Sequence, residues 1–213
     1  HCNYTIKWYE NLPIVSYLFL KGKCSNCSNP ISIVYPLVEL TTALVTLLLY
    51  MNYWLNWELI ATIALFYTLI VLSLIDLKYK AVPDYLLIVA VILAILVGDL
   101  MYILIFAGGF ALLELVITFY IQNVKAKITK NKELETQSAL GEGDIPIAGV
   151  IGGLLGLHLG ISAIFLATLL ALLLSIYNLL SKKEIETPFI PFLSLGLFIT
   201  FISGFNIFSW FIY

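Results

Sequence analysis

Arginine is absent from this 213-residue chain, and charged residues of all kinds make up only 11% of it. Soluble domains carry roughly 25%, so a soluble enzyme or nucleic-acid binder is excluded. Three cysteines cannot close a disulfide framework. The net charge of −2 leaves no basic surface for a partner. No apolar stretch followed by a cleavage site reads as a removable signal, and no inverted repeat of the transporter kind is visible. The first residue is His1 rather than Met, so an upstream portion is expected.

Apolar side chains fill the space that charge leaves: 62% of the residues are hydrophobic and the mean hydropathy is +1.02. Runs at 36–53, 58–77, 85–121, 145–180 and 188–213 are long enough to matter, because about 20 helical residues cross a hydrocarbon core of about 30 Å. Two runs exceed one span. Reversals are expected at Gly98-Asp99 and near Gly156-Leu157-His158-Leu159-Gly160, where glycines relieve the turn. The expected fold is therefore all-α, a polytopic transmembrane bundle of about seven spans.

Lysine placement tests that count, since cytoplasmic loops collect Lys while translocated ones do not. The eleven lysines are Lys7, Lys21, Lys23, Lys78, Lys80, Lys125, Lys127, Lys130, Lys132, Lys182 and Lys183. All lie in alternate loops of the seven-helix arrangement, which places residue 1 inside and Tyr213 outside. The turns at Asn52 to Glu58, Gly98-Asp99 and Gly156 to Gly160 have none. Residues 1–35 read as a polar cytoplasmic segment, and residues 36–213 as the transmembrane domain with a Lys/Glu-rich cytoplasmic loop at 122–144. Aromatic residues at 50–57 suit an interfacial belt.

Two aspartates fall at helix ends on the lysine-bearing side. Asp76 closes the second run and Asp144 opens the fifth, in Gly141-Glu142-Gly143-Asp144. An ionisable group at membrane depth is costly and marks a functional site; two such carboxyls together share one proton and can activate water for peptide hydrolysis. The competing reading for Asp144 is a helix cap, supported by Pro146. Asp76 ends its helix, where a carboxylate opposes the dipole, so the shared proton is expected mainly on Asp76. Asp84 after Pro83 reads as an N-cap. Cys24-Ser25-Asn26-Cys27, with Cys2 upstream, suits a structural zinc site of thiolates in a loop without its own core. A redox pair and unrelated reduced thiols are the alternatives.

Asp76 with Ala81-Val82-Pro83-Asp84, and the Gly141 to Asp144 box, resemble the two aspartate motifs of the type IV prepilin peptidases, which are GxGD-type aspartyl proteases. Trp8-Tyr9-Glu10-Asn11-Leu12-Pro13, Ser16-Tyr17-Leu18, Lys21-Gly22-Lys23-Cys24, Tyr35-Pro36-Leu37-Val38-Glu39 and Pro188-Phe189-Ile190-Pro191-Phe192-Leu193 are similar to further stretches of that family, in the same order. The resemblance implies catalysis by Asp76 and Asp144 at the cytoplasmic face of the bacterial inner membrane. Gly141, Gly143 and Glu39 would support them, the two glycines by letting the backbone turn sharply and the leader approach. It implies prepilin or pseudopilin N-terminal segments as substrates, cut after a glycine, and N-methylation with S-adenosylmethionine. It also implies a missing first span and zinc ligation by Cys2, Cys24 and Cys27, the remaining cysteine lying upstream. The sequence departs from the family at Ala43, where a glycine is usual, and at Pro146, where a lysine is frequent. The alternative reading is a proton- or cation-coupled transporter relaying through Asp76, Asp144 and Glu114. It requires carboxylates spread through the membrane depth.

Overall fold

The computed structural model describes residues 2–53, 55–129, 140–181 and 187–210. Its elements are helical, with no strand among the described residues; one isolated bridge pairs Lys23 with Pro30. Residues 1–54 and 55–213 form two compact units.

The first unit has a 3-10 turn at Trp8–Asn11, a short helix α1 at Val15–Phe19 and the long helix α2 at Val34–Asn52. Several hydroxyls and an amide on α2 are absorbed by its own backbone. Thr41 Oγ1 donates to the Leu37 carbonyl at 2.8 Å, Thr46 Oγ1 to Thr42 at 2.8 Å, and Asn52 Nδ2 to Leu48 at 2.7 Å. This internal pairing suits hydroxyls and an amide to a helix long and apolar enough to cross a membrane.

The second unit contains α3 (Trp57–Tyr79), α4 (Asp84–Val97), α5 (Leu100–Phe119), α6 (Ala126–Thr129), α7 (Asp144–Leu180) and α8 (Ile190–Ser203). Asn56 caps α3 by accepting the Leu59 N–H at 2.8 Å. Asp99 caps α5 by accepting the Met101 N–H at 2.8 Å, so the turn expected at Gly98-Asp99 has its own stop and start. Leu65, Leu69 and Leu72 of α3, Ile147 and Ile151 of α7, and Leu193 and Leu197 of α8 are fully buried. Phe66 meets Phe198 and Phe201 edge-on, with ring centroids 5.3 and 5.5 Å apart.

Among the described residues, four helical segments are long and apolar enough to cross a membrane: Val34–Asn52, Trp57–Tyr79, Leu100–Thr129 and Asp144–Leu180. Asp84–Val97 and Ile190–Ser203 are apolar but shorter. Residues 122–129, expected in the polar loop 122–144, are helical. A π-helical turn at Tyr120–Lys125 carries α5 into α6, and the helix runs on to Thr129. Lysine is a good helix former whose stem lies along apolar surface while its head stays wet, so Lys125 and Lys127 do not stop it. The last apolar run also differs from the expected 188–213. Its helix ends at Ser203, where Gly204 takes a left-handed φ of 64° and closes the C-terminus without a Cβ penalty.

A straight α7 of 37 residues would be about 55 Å long, and the contacts exclude that. A Cβ on Gly143 would lie 2.9 Å from Ile190 Cδ1, while Ser175 Oγ and Thr187 Oγ1 share a hydrogen bond at 2.9 Å. Both ends of α7 therefore meet the short segment 187–190. The reversal occurs at Gly156, with φ 68° and ψ −167° inside an otherwise helical run, a conformation open to glycine and to few others. The ring of Phe106 from α5 fills the fold. A Cβ on Gly152 would come within 2.4 Å of Phe106 Cδ2, and one on Gly160 within 2.6 Å of its Cζ. His158 is helical rather than a loop residue, and its ring stands 5.3 Å from that of Phe208.

Candidate active site

Asp76 sits in the last turn of α3, one turn before Lys80 ends the helix in a left-handed conformation at φ 52°. It is 8% exposed, and Asp144, the first residue of α7, is 5% exposed. They are the only buried charged residues among those described. The two carboxyls lie close enough to interact electrostatically. Asp76 Oδ2 accepts the Ile190 N–H at 3.2 Å, and Asp144 Oδ2 accepts the Gly141 N–H at 3.1 Å. Ile190 is the first residue of α8. Asp76 therefore ends its own helix but stands at the N-terminus of another, where free N–H groups and the dipole favour a carboxylate. The dipole argument for placing the shared proton on Asp76 loses its footing there, because both carboxyls are served by helix N-termini.

Sequence reasoning missed this contact across 114 positions; the apolar Ile190 gives no sign that its amide is used. It also missed a second tie. Ser73 Oγ, which donates to the Leu69 carbonyl at 2.7 Å, lies 3.2 Å from Ser194 Oγ. Ser73 is about one turn from Asp76 on α3, and Ser194 about one turn from Ile190 on α8, so the pair helps hold the two helices in the register that brings Asp76 to Ile190.

The glycines of the Gly141 to Asp144 box work through space rather than through unusual torsions. Among the described residues the positive-φ glycines are Gly22, Gly156 and Gly204. A Cβ on Gly143 would come within 2.6 Å of Val82 Cγ2, and one on Gly141 within 3.3 Å of Asp144 Oδ2. The first glycine thus leaves room for the carboxyl, and the second for the α4 entry and Ile190. Asp84 is not the N-cap expected of it. Pro83 holds that position, and Asp84 is an exposed first-turn residue whose charge suits the dipole. Glu114 lies on α5.

In the first unit Glu39 Oε2 accepts the Ile14 N–H at 2.7 Å. Ile14 holds φ 59°, a left-handed conformation rare for a β-branched residue. The sulfurs of Cys2, Cys24 and Cys27 all lie within 4.8 Å of one another, with Cys2 and Cys24 at 3.8 Å. Tetrahedral zinc with Zn–S bonds of about 2.3 Å puts its sulfurs about 3.8 Å apart, so the donor set fits that ion. Backbone N–H groups of Cys27 and Asn26 bring the Cys24 thiol down to about 7. At Cys27 the Asn29 N–H pulls the same way, but the Cys2 and Cys24 sulfurs beside it leave that thiol raised.

Four helices fit to cross a membrane, and buried charge that among the described residues is confined to Asp76 and Asp144 of the second unit, define an integral membrane protein. The chain belongs to the type IV leader peptidase family, which matches residues 63–176, and residues 1–53 match the bacterial peptidase A24 N-terminal domain. It is 30% identical over 218 residues to the prepilin leader peptidase/N-methyltransferase of Aeromonas hydrophila, covering 100% of this chain and 73% of that protein. The protein of the same name from Pseudomonas aeruginosa is 30% identical over 211 residues, covering 95% and 70%. That from Neisseria gonorrhoeae is 29% identical over 184 residues. No solved structure matches the chain. Nothing in these comparisons points to a transporter.

Proposed function

We propose that the chain cleaves the leader from type IV prepilins or pseudopilins after a glycine, at the cytoplasmic side of the bacterial inner membrane, and N-methylates the new terminus. The observation that carries this reading is the burial of Asp76 and Asp144 together beside the start of α8. Two carboxyls sharing one proton hold a water between them. The ionised member takes a proton from that water as it attacks the scissile carbonyl, and the protonated member donates to the carbonyl oxygen. The tetrahedral intermediate then collapses with proton return to the leaving amine. Purified protein incubated with a synthetic prepilin N-terminal segment, with and without S-adenosylmethionine, is the test by mass spectrometry. Shortening at the glycine is expected in both samples and a methyl increment only with the methyl donor. An uncut peptide sinks the proposal.

Residues 36–213 are proposed as the membrane domain, crossing seven times through α2, α3, α4, α5, the two arms of α7, and α8. The fold-back at Gly156 and the lysines at the ends of α3 and α6 support this, with the polar segment 1–35 inside. In intact cells lacking the native cysteines, a membrane-impermeant thiol reagent should label Leu55→Cys but not Lys80→Cys. Labelling of both, or the reverse, defeats the topology.

Cys2, Cys24 and Cys27 would hold a structural zinc ion and fold the loop around it; no fourth protein ligand is present among the described residues. Metal analysis of the purified protein should find one zinc per chain, lost in Cys24→Ser/Cys27→Ser. Unchanged zinc in that variant removes the site.

A further inference from the structure

Glu114 is the one carboxylate on α5, and the chemistry of the aspartate pair does not use it. It is half-buried in a helical segment long and apolar enough to cross a membrane. Its side chain has no hydrogen-bond or ion-pair partner among the described residues. On its own helix the nearest lysine is Lys125, about 16 Å further along the axis and out of pairing range. An ionisable side chain in such a helix is costly and marks a functional contact.

The packing of α5 on α7 fixes which way Glu114 faces. Ile103 Cγ2 and Ala107 Cβ would each lie 3.3 Å from a Cβ on Gly149, and the Asp99 N–H donates to the Gly153 carbonyl at 3.0 Å. The two helices are thus antiparallel, and Ile103 and Ala107 mark the side of α5 turned to the first arm of α7. Two helical turns beyond Ala107, to within about 20°, Glu114 lies on that same side. Continued at about 1.5 Å per residue along both helices, the register puts Asp144, the first residue of α7, level with about residue 110 of α5. Glu114 therefore faces the space just past the start of α7, about 6 Å beyond Asp144 toward the lysine-bearing end. Leu112, Leu113, Leu115 and Val116 are exposed, so this part of α5 is uncovered and the space beside Glu114 is accessible.

We propose that Glu114 is a specificity-determining residue that receives a positively charged side chain of the leader, about two residues before the bond that is cut. The inference rests on the peptidase reading above. A substrate held extended at the aspartates advances about 3.3 Å per residue, so two residues bridge the rise from Asp144 to Glu114. The leader is the part that leaves toward the lysine-bearing end. An unpaired carboxylate in apolar surroundings attracts a cation more strongly than it would in water, and it repels an acidic residue at the same place. Glu114 acts on binding, whereas the two aspartates carry the chemical step.

The test varies one charge on each side. The full chain in detergent is given synthetic prepilin N-terminal segments, acetylated at the amino terminus, with lysine, norleucine or glutamate at the second residue before the cut and no other charge in the leader. Mass spectrometry of the products gives kcat and KM. Wild type should show a KM about tenfold lower for lysine than for norleucine, the low end of the coupling between close charge pairs, with similar kcat. Glu114→Gln should lose that preference by raising KM for the lysine peptide alone, and Glu114→Lys should favour the glutamate peptide. Equal KM for lysine and norleucine in wild type overturns the proposal. So does a lysine preference that survives in Glu114→Gln, or one that disappears instead in Glu142→Gln, the exposed carboxylate of the box. A loss shared by all three peptides in Glu114→Gln makes the residue structural and overturns it likewise. Wild type that cuts no peptide defeats the peptidase reading and this inference with it; wild type that cuts all three alike defeats this inference alone.

Discussion

Asp76→Asn and Asp144→Asn should each reduce prepilin cleavage by on the order of 10³-fold or more, because a catalytic unit that works as a pair loses nearly everything with either member. An amide cannot accept the water's proton and cannot supply one to the carbonyl oxygen as a carboxylic acid does. Asn retains the volume of Asp and can still accept the N–H of Ile190 or of Gly141, so both variants should keep the wild-type fold by circular dichroism in detergent. Asp84→Asn, at an exposed first-turn position outside the buried pair, should keep most of the activity. Near-wild-type cleavage by either dyad variant would dismiss the aspartyl mechanism.

The second large effect is on stability, where α7 folds around Phe106. Gly160→Ala places a methyl against the ring, its three nearest neighbours all being Phe106 atoms. Overpacking of this kind costs about 1–3 kcal/mol. In a Phe106→Ala background the ring is gone, so the added cost of Gly160→Ala should vanish. Gly152→Ala behaves differently. Its Cβ would lie within 2.6 Å of the Tyr102 carbonyl oxygen as well as against the ring, and backbone does not move aside when Phe106 is truncated. A double-mutant cycle in mixed-detergent unfolding should show strong coupling between 160 and 106 and a residual penalty at 152. Equal rescue at both glycines would contradict the packing described.

Much of the bundle was legible because its grammar is local. Apolar runs set the helices, and Gly98-Asp99 and Gly156 break them where a capping carboxylate and a left-handed glycine are available. Element ends were harder. Lys125 and Lys127 look like loop residues to a charge count, yet they are good helix formers and lie on helix through Thr129. The end of α8 was overrun because Phe205, Ile207 and Phe208 keep the run apolar after Gly204 has closed the helix. At the candidate site, Asp76 and Asp144 stand out as costly residues in apolar runs, but their surroundings do not. The amide of Ile190 carries no sequence signature, and the Ser73 and Ser194 hydroxyls meet only once α3 and α8 pack. The box glycines were read for flexibility, whereas Val82, Ile190 and the Asp144 carboxyl require them for their lack of a side chain.

The phenyl ring between Gly152 and Gly160 belongs to a helix made earlier in synthesis, and this orders assembly. The arms of α7 meet around Phe106 of α5, so α7 alone cannot complete its native interior as a self-contained hairpin. Chains emerge from the ribosome N-terminal end first, and α5 leaves some forty residues ahead of Gly152 and Gly160. The ring is thus already waiting when the glycines arrive. The hairpin closes on a template, and the α7 arm that begins with Asp144 reaches its final position only as that closure finishes.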